Sequence, residues 1–311
     1  MQGKIGTTGF VNQTLKDNDL YAKKKFGQNF LTDQNILSSI VKSAGIDKDS
    51  LVIEVGPGLG SLTEHLVKNA GFVLAYEIDQ DLLPILDQNF KGCDNLKVIN
   101  KDILEVDINK DIDEYKRDKK SVFLVANLPY YITTPIILGL LSKTNKITRY
   151  VMMMQKEVAD RICGHPKTKD YNALSIAIGY RAKASLEFNV PRTVFIPSPN
   201  VDSAVVKLDL YDNPPYKAKN EEQFFELIRV CFLQRRKTLY NNLGQKYKKD
   251  FVEAMLNELN IKQNARSEEL EISDFVRISD YIEEKYDKNW CICQNKFGTW
   301  GNGRKEWLSW G

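Results

Sequence analysis

The chain has 311 residues, room for one large domain and a small one, and its 42% hydrophobic and 27% charged content is that of a soluble globular protein. Only two histidines, His65 and His165, argue against a histidine-based zinc site or a Ser-His-Asp triad. Five cysteines without a CxxC pair, no apolar run of membrane-spanning length and no signal-like N-terminus point to a reducing cytoplasm and no membrane, while the net charge of +3 says little by itself.

Residues 1–22 read as an N-terminal extension. They are followed by the basic run Lys23-Lys24-Lys25, which suits either a solvated face or a polyanionic partner. From Leu51 to Leu210, short apolar runs alternate with helical patterns. Strands are expected at Leu51–Val55, Phe72–Glu77, Leu96–Ile99, Val122–Ala126 and Tyr150–Met154. The intervening helices fall at Ser61–Ala70, Gln80–Phe90 and Thr134–Ser142, and Asp107–Lys120 reads as an exposed loop or short helix. This alternation predicts an α/β fold with a doubly wound sheet. Helices near Glu157–Cys163 and Asn172–Arg181 follow. Two late runs, Ser185–Val190 and Ala204–Leu210, read as an antiparallel addition to the sheet.

Pro214-Pro215 marks a boundary, placing the first domain at 23–212. Beyond it, Glu222–Leu243, Phe251–Leu259 and Phe275–Tyr286 carry apolar residues at helical spacing, giving a small all-α domain over 213–286. All four tryptophans (Trp290, Trp300, Trp307, Trp310) lie in the glycine-rich stretch 287–311, a separate appendage that is either functional or a remnant of altered coding sequence.

The chemistry-bearing residues gather at strand ends. Glu54-Val55-Gly56-Pro57-Gly58-Leu59-Gly60 leaves the first strand for a helix, where glycines let the backbone approach a ligand. Glu77, ending the second strand, can bind both hydroxyls of a ribose. NAD and S-adenosylmethionine share that ribose, so the pair does not separate them. Asp102, after the third strand, is either an acceptor for an adenine amino group or a loop N-cap. Asn127-Leu128-Pro129-Tyr130 closes the fourth strand. By itself it is either a strand-to-loop turn or a site for a planar amine, with carbonyl acceptors for the NH2 and a tyrosine face for stacking.

Together these residues resemble the ribosomal RNA adenine N6-dimethyltransferase family, from about Lys24 to Tyr286. The resemblance rests also on Lys25-Phe26-Gly27-Gln28-Asn29-Phe30-Leu31, Phe195-Ile196-Pro197-Ser198-Pro199, Val201-Asp202-Ser203-Ala204-Val205-Val206 and Gln234-Arg235-Arg236-Lys237-Thr238. The versions of these motifs are those of the small-subunit branch. The large-subunit, antibiotic-resistance branch more typically has FSQNFL, GTGKG and VNS.

The resemblance implies a class I (Rossmann-like) methyltransferase domain over 23–212 and an RNA-contacting helical domain over 213–286. It also implies S-adenosylmethionine as methyl donor, held by Asn29, Leu31, Gly56, Glu77, Asp102 and Asn127, with no metal. The expected reaction is dimethylation of two adjacent adenines near the 3′ end of 16S rRNA in an immature small subunit, by a monomer. Catalysis would fall to Asn127, Leu128, Pro129 and Tyr130. Tyr130 and Phe195 would stack on the target base, and Lys23–Lys25, Arg235 and Arg236 would contact phosphates. The rivals are a large-subunit RNA dimethyltransferase, a non-catalytic ribosome-assembly factor and an NAD-dependent dehydrogenase.

Overall fold

A computed structural model describes residues 4–23 and 26–286. Lys24, Lys25 and the tryptophan-rich stretch 287–311 lie outside them.

The elements, in chain order, begin with α1 (Thr8–Asp17), β1 (Phe30–Leu31), α2 (Gln34–Ala44), β2 (Ser50–Val55) and α3 (Ser61–Asn69). They continue with β3 (Phe72–Glu77), α4 (Leu83–Asn89), β4 (Leu96–Asn100), α5 (Ile108–Lys116), β5 (Ser121–Asn127) and α6 (Thr133–Lys143). Next come β6 (Arg149–Gln155), α7 (Lys156–Ile162), α8 (Ala173–Gly179), β7 (Ala182–Val190), β8 (Phe195–Ile196) and β9 (Ser203–Leu210). The last are α9 (Glu221–Cys231), α10 (Leu239–Leu243), α11 (Lys249–Glu258) and α12 (Ile272–Lys285).

A seven-stranded sheet runs in the order β4-β3-β2-β5-β6-β9-β7. Strands β4, β3, β2, β5 and β6 are parallel, and β9 is antiparallel to β6. The central strands are buried along their length, Ser50–Val55 completely, which is why they read as continuous apolar runs rather than alternating ones. The chain winds outward from β2 through β3 to β4, then returns to add β5 and β6 on the other side. This reversal opens a crevice at the carboxyl ends of β2 and β5, the switch point where such sheets bind ligands.

The described residues fall into two compact units, one of those up to 159 with 184–210, the other of 160–183 with 211–286. The expected break near Pro214-Pro215 therefore captures only half of the division. Residues 160–183 belong with the helices, because Tyr171, Ile176 and Tyr180 share a core with Phe224, Leu227, Ile228 and Phe275. The Tyr180 and Phe224 rings lie 4.4 Å apart.

The N-terminal extension is part of the first unit. Thr7 caps α1 by accepting from the Phe10 amide, and fully buried Val11 packs with Phe30, Leu59, Leu82 and Ile85.

The helix expected over Glu222–Leu243 is interrupted. Its α9 portion stops at Cys231 and α10 starts at Leu239, so Gln234-Arg235-Arg236-Lys237 forms a turn. The Cys231 carbonyl, which a continuing helix would bond to the Arg235 amide, instead accepts from Asn242 Nδ2 at 2.7 Å and Ser267 Oγ at 2.6 Å. Thr238 then caps α10 through its hydroxyl.

Candidate active site

The crevice at the strand ends is an open cleft of about 1050 Å³. Its walls include Asn29, Leu31, Gly56, Glu77, Asp102 and Asn127, together with Leu128, Pro129 and Tyr130. Gly56, Glu77, Asp102 and Asn127 converge because each lies at or just past the carboxyl end of a strand of one parallel sheet, whereas Asn29 and Leu31 come from the segment of β1, which pairs with β8 outside that sheet.

The glycine loop between β2 and α3 shapes one wall. Gly56 has φ +70°, and a side-chain carbon placed there would meet no atom within 4 Å, so its bare backbone borders the cleft. At Gly60, φ +92°, the same carbon would come 2.5 Å from the Phe90 ring, so this turn closes only with glycine.

Glu77 lies buried at the end of β3. One carboxylate oxygen accepts from the Gly58 amide at 3.1 Å and the other from the Asp79 amide at 2.9 Å. Each oxygen keeps a second lone pair, the two-acceptor pattern that a ribose diol requires. Burial raises the Glu77 pKa, opposed by the backbone donors. Asp102 caps the following turn, Oδ1 accepting from the Leu104 amide at 2.9 Å, and it also borders the cleft.

Asn127 ends β5 in register with Met153 of β6, and the Leu128 amide donates to the Met153 carbonyl at 3.0 Å. Asn127 Nδ2 donates to the Asn29 carbonyl at 3.3 Å, which commits the nitrogen end of the amide and leaves Oδ1 as the acceptor. The Pro129 carbonyl takes two donors, the Ile132 amide at 3.2 Å and Thr133 Oγ1 at 2.9 Å. It is thereby saturated, so the Leu128 carbonyl remains, beside Asn127 Oδ1, to accept from an incoming amine. The half-buried Tyr130 shares a 2.5 Å hydrogen bond between its hydroxyl and Ser203 Oγ.

Three expectations need correction. Phe195 is 3% exposed, packed in the core with Leu31, Val151 and Val205, because β8 pairs it with Leu31. It is not on the cleft wall and offers no face to a base. Lys23 is not an open cation: its ammonium sits 2.6 Å from Asp79 and 2.5 Å from Asp81. Arg235 and Arg236 are exposed, but on the turn after α9 rather than on a helix, with Arg235 donating to the Lys169 carbonyl.

The structure also adds residues. Tyr131, 58% exposed, borders the cleft beside Tyr130, and nothing in the sequence pattern singled it out. Ser203 was visible within a motif but without a role. Glu54, already one of the strand-end residues, is fully buried, borders the cleft and accepts from Thr63 Oγ1 at 2.7 Å.

Burial pushes Glu54 from its ordinary 4.5 up to about 8. A raised carboxyl pKa favours the folded state fully below pH 4.5, and that contribution is lost as pH rises to about 8. Melting of the ligand-free protein from pH 5 to 8 should therefore show a decline of up to about 1.4 kcal/mol per pH unit from this group. Glu54→Gln, which keeps an acceptor for Thr63, should flatten it. Parallel curves for the two proteins would count against a neutral Glu54.

Among the described residues, no group of three or more His, Cys, Asp and Glu is placed to hold a metal ion, and no helix is long and apolar enough to cross a membrane.

A sequence model of the family described as "Ribosomal RNA adenine dimethylase" matches residues 20–284. The chain is 49% identical over 288 residues to "Ribosomal RNA small subunit methyltransferase A" of Streptococcus thermophilus (strain CNRZ 1066), covering 90% of this chain and 99% of that protein. It is 45% identical over 293 residues to the protein of the same name from Lysinibacillus sphaericus (strain C3-41), covering 93% and 100%. Among solved structures, a dimethyladenosine transferase from Plasmodium falciparum superposes with a TM-score of 0.69 at 27% identity, over 82% of this chain and 97% of that one. The 23S rRNA methyltransferase ErmE superposes with a TM-score of 0.62 at 27% identity, over 82% and 100%.

Proposed function

Because the chain belongs to the ribosomal RNA adenine dimethylase family, we propose that it dimethylates the N6 amino groups of two adjacent adenines near the 3′ end of 16S rRNA, with S-adenosylmethionine as donor. The observation that carries this reading is the meeting of Asn127-Leu128-Pro129-Tyr130 with Glu77 and Asp102 on one cleft. The donor set fits the cofactor: Glu77 has two lone pairs suited to a ribose, Asp102 a carboxylate suited to an adenine amino group, and the backbone at Gly56 leaves open space. Asn29, Leu31 and Asn127 complete its proposed contacts. Small-subunit rather than large-subunit RNA is favoured by the 45–49% identity to the proteins named for the small subunit, against 27% to ErmE.

Bound S-adenosylmethionine supplies an electrophilic sulfonium methyl. The obstacle is the adenine nitrogen, whose lone pair is delocalised into the ring. Asn127 Oδ1 and the Leu128 carbonyl accept the two N–H bonds and favour a pyramidal nitrogen whose lone pair faces the methyl. No strong base is required, because the nitrogen becomes acidic once methylated. Orientation of this kind is worth roughly 7–11 kcal/mol for ideally aligned reactants. The target base leaves its stack to enter the cleft, and Tyr130 supplies a face worth about 1–3 kcal/mol per base.

The helical unit is proposed to contact RNA, with the protein acting as a cytoplasmic monomer on an immature small subunit. Its exposed Arg235 and Arg236 suit phosphate contacts. Reversing both charges should weaken RNA association and lower the slope of log affinity against log salt by roughly 0.7–0.9 per lost contact. An unchanged slope would return both residues to a solvated face.

The function is tested by transfer of labelled methyl groups to undermethylated small subunits, with mass mapping of the products. Dimethylation of two adjacent adenines near the 3′ end of 16S rRNA is expected. Label in 23S rRNA instead would favour the large-subunit reading. No label in either would favour a non-catalytic assembly factor.

A further inference from the structure

Tyr130 is gripped at both ends. Its backbone follows Pro129, whose carbonyl is held by the Ile132 amide and the Thr133 hydroxyl. Its ring tip reaches across to another strand, where the phenol and Ser203 Oγ lie 2.5 Å apart. Ser203 is 0% exposed and is the first residue of β9. Since β9 runs antiparallel to β6, its first residue lies at the same edge of the sheet as the cleft. Ser203 pairs with Gln155, two positions beyond the Met153 that pairs with Asn127.

We propose that Ser203 is a positioning residue for methyl transfer, anchoring the Tyr130 ring through its hydroxyl so that the stacked base meets Asn127 at a fixed height and tilt. This rests on the function proposed above. An aromatic ring held only at its Cβ can swing about χ1 and carry the base with it. Tethering the para position to a rigid strand removes that freedom. The hydroxyl is therefore of use even though the stacking face of a phenylalanine would be equivalent. Burial holds the Tyr130 phenol in its neutral form, with the Ser203 bond opposing that shift, so the tether is a neutral hydrogen bond across the working range.

Reactivity falls steeply with misplacement, since displacement by about 1 Å can cost about 100-fold. Loss of one tether that still leaves the ring in the cleft should cost less, about tenfold in kcat, the scale of a net hydrogen bond. Ser203→Ala and Tyr130→Phe each break the same bond, so each should lower kcat for transfer to undermethylated small subunits about tenfold. The double variant should be no slower than either alone. Affinity for S-adenosylhomocysteine, read by calorimetry, should stay within about twofold. Ser203→Thr, which restores the hydroxyl, should recover most of the rate.

A wild-type kcat in Ser203→Ala, or losses that multiply in the double variant, would overturn the tether. So would a lowered melting temperature with kcat unchanged, which is the signature of a packing role alone. Absence of transfer by the unmodified protein would instead overturn the proposed function, and the tether with it.

Discussion

Asn127→Ala is expected to lower methyl transfer by about 10³-fold or more while leaving the melting temperature near that of the unmodified protein. The magnitude follows from what the side chain holds. Its Nδ2 donates to the Asn29 carbonyl, which fixes the plane of the amide and turns Oδ1 into the one side-chain acceptor beside the Leu128 carbonyl. With the Pro129 carbonyl saturated by Ile132 and Thr133, no neighbouring carbonyl of the tetrapeptide is spare to take over. The fold should survive because Asn127 is only half-buried at a strand end, and the β5–β6 ladder is made by backbone groups. Asn127→Asp makes a stricter comparison. It keeps the shape and an acceptor, but a carboxylate cannot donate to the Asn29 carbonyl, so it should also be slow. Single-turnover transfer measured on saturated enzyme reads the chemical step directly. Turnover of Asn127→Ala within about threefold of normal would remove the amide from the mechanism.

The contrast between strand ends and ring orientations explains how much could be seen in advance. Buried parallel strands announce themselves as apolar runs, and their carboxyl ends follow from the order of elements. Gly56, Glu77, Asp102 and Asn127 therefore fall on one edge of a sheet from sequence alone. The orientation of Phe195 depends on its pairing with Leu31 across 164 residues of sequence, a register that no local pattern encodes. Lys23 belonged to an apparent basic run, and its partners Asp79 and Asp81 lie 56 and 58 positions away. The same holds for the break at Cys231. Gln234-Arg235-Arg236-Lys237 has good helix propensity, and only the distant amide of Asn242 and hydroxyl of Ser267 divert the carbonyl that would have continued the helix. Residues 160–183 likewise carry an ordinary helical pattern. Which core buries Tyr171, Ile176 and Tyr180 is decided by partners beyond residue 211. Chemistry set by chain order was legible, and chemistry set by long-range packing was not.

Glu77→Ala should raise the dissociation constant for S-adenosylhomocysteine by about 10²–10³-fold, from two losses that act together. One is the pair of acceptor positions proposed for the ribose hydroxyls, whose hydrogen bonds to a charged oxygen are worth about 1.5–3 kcal/mol each. The other is internal. The carboxylate holds the Gly58 and Asp79 amides at 3.1 Å and 2.9 Å, so its removal leaves two donors without their partner and loosens the adjoining glycine loop. A second substitution separates the two. Glu77→Gln preserves one oxygen and the side-chain volume but presents an NH2 where an acceptor stood. It relieves the buried charge, which burial already disfavours, but sets a donor against one of the two backbone amides, so it should destabilise the fold less than Glu77→Ala does. Its affinity should nevertheless fall by about tenfold or more, since a single acceptor cannot serve a diol in both positions. Calorimetric titration with the product, alongside thermal melts, distinguishes the outcomes. Weak binding in both variants, with the larger loss of stability in Glu77→Ala, supports the ribose contact. Normal affinity in Glu77→Gln would show that Glu77 only braces the loop, and the ribose would then have to be held elsewhere on the cleft.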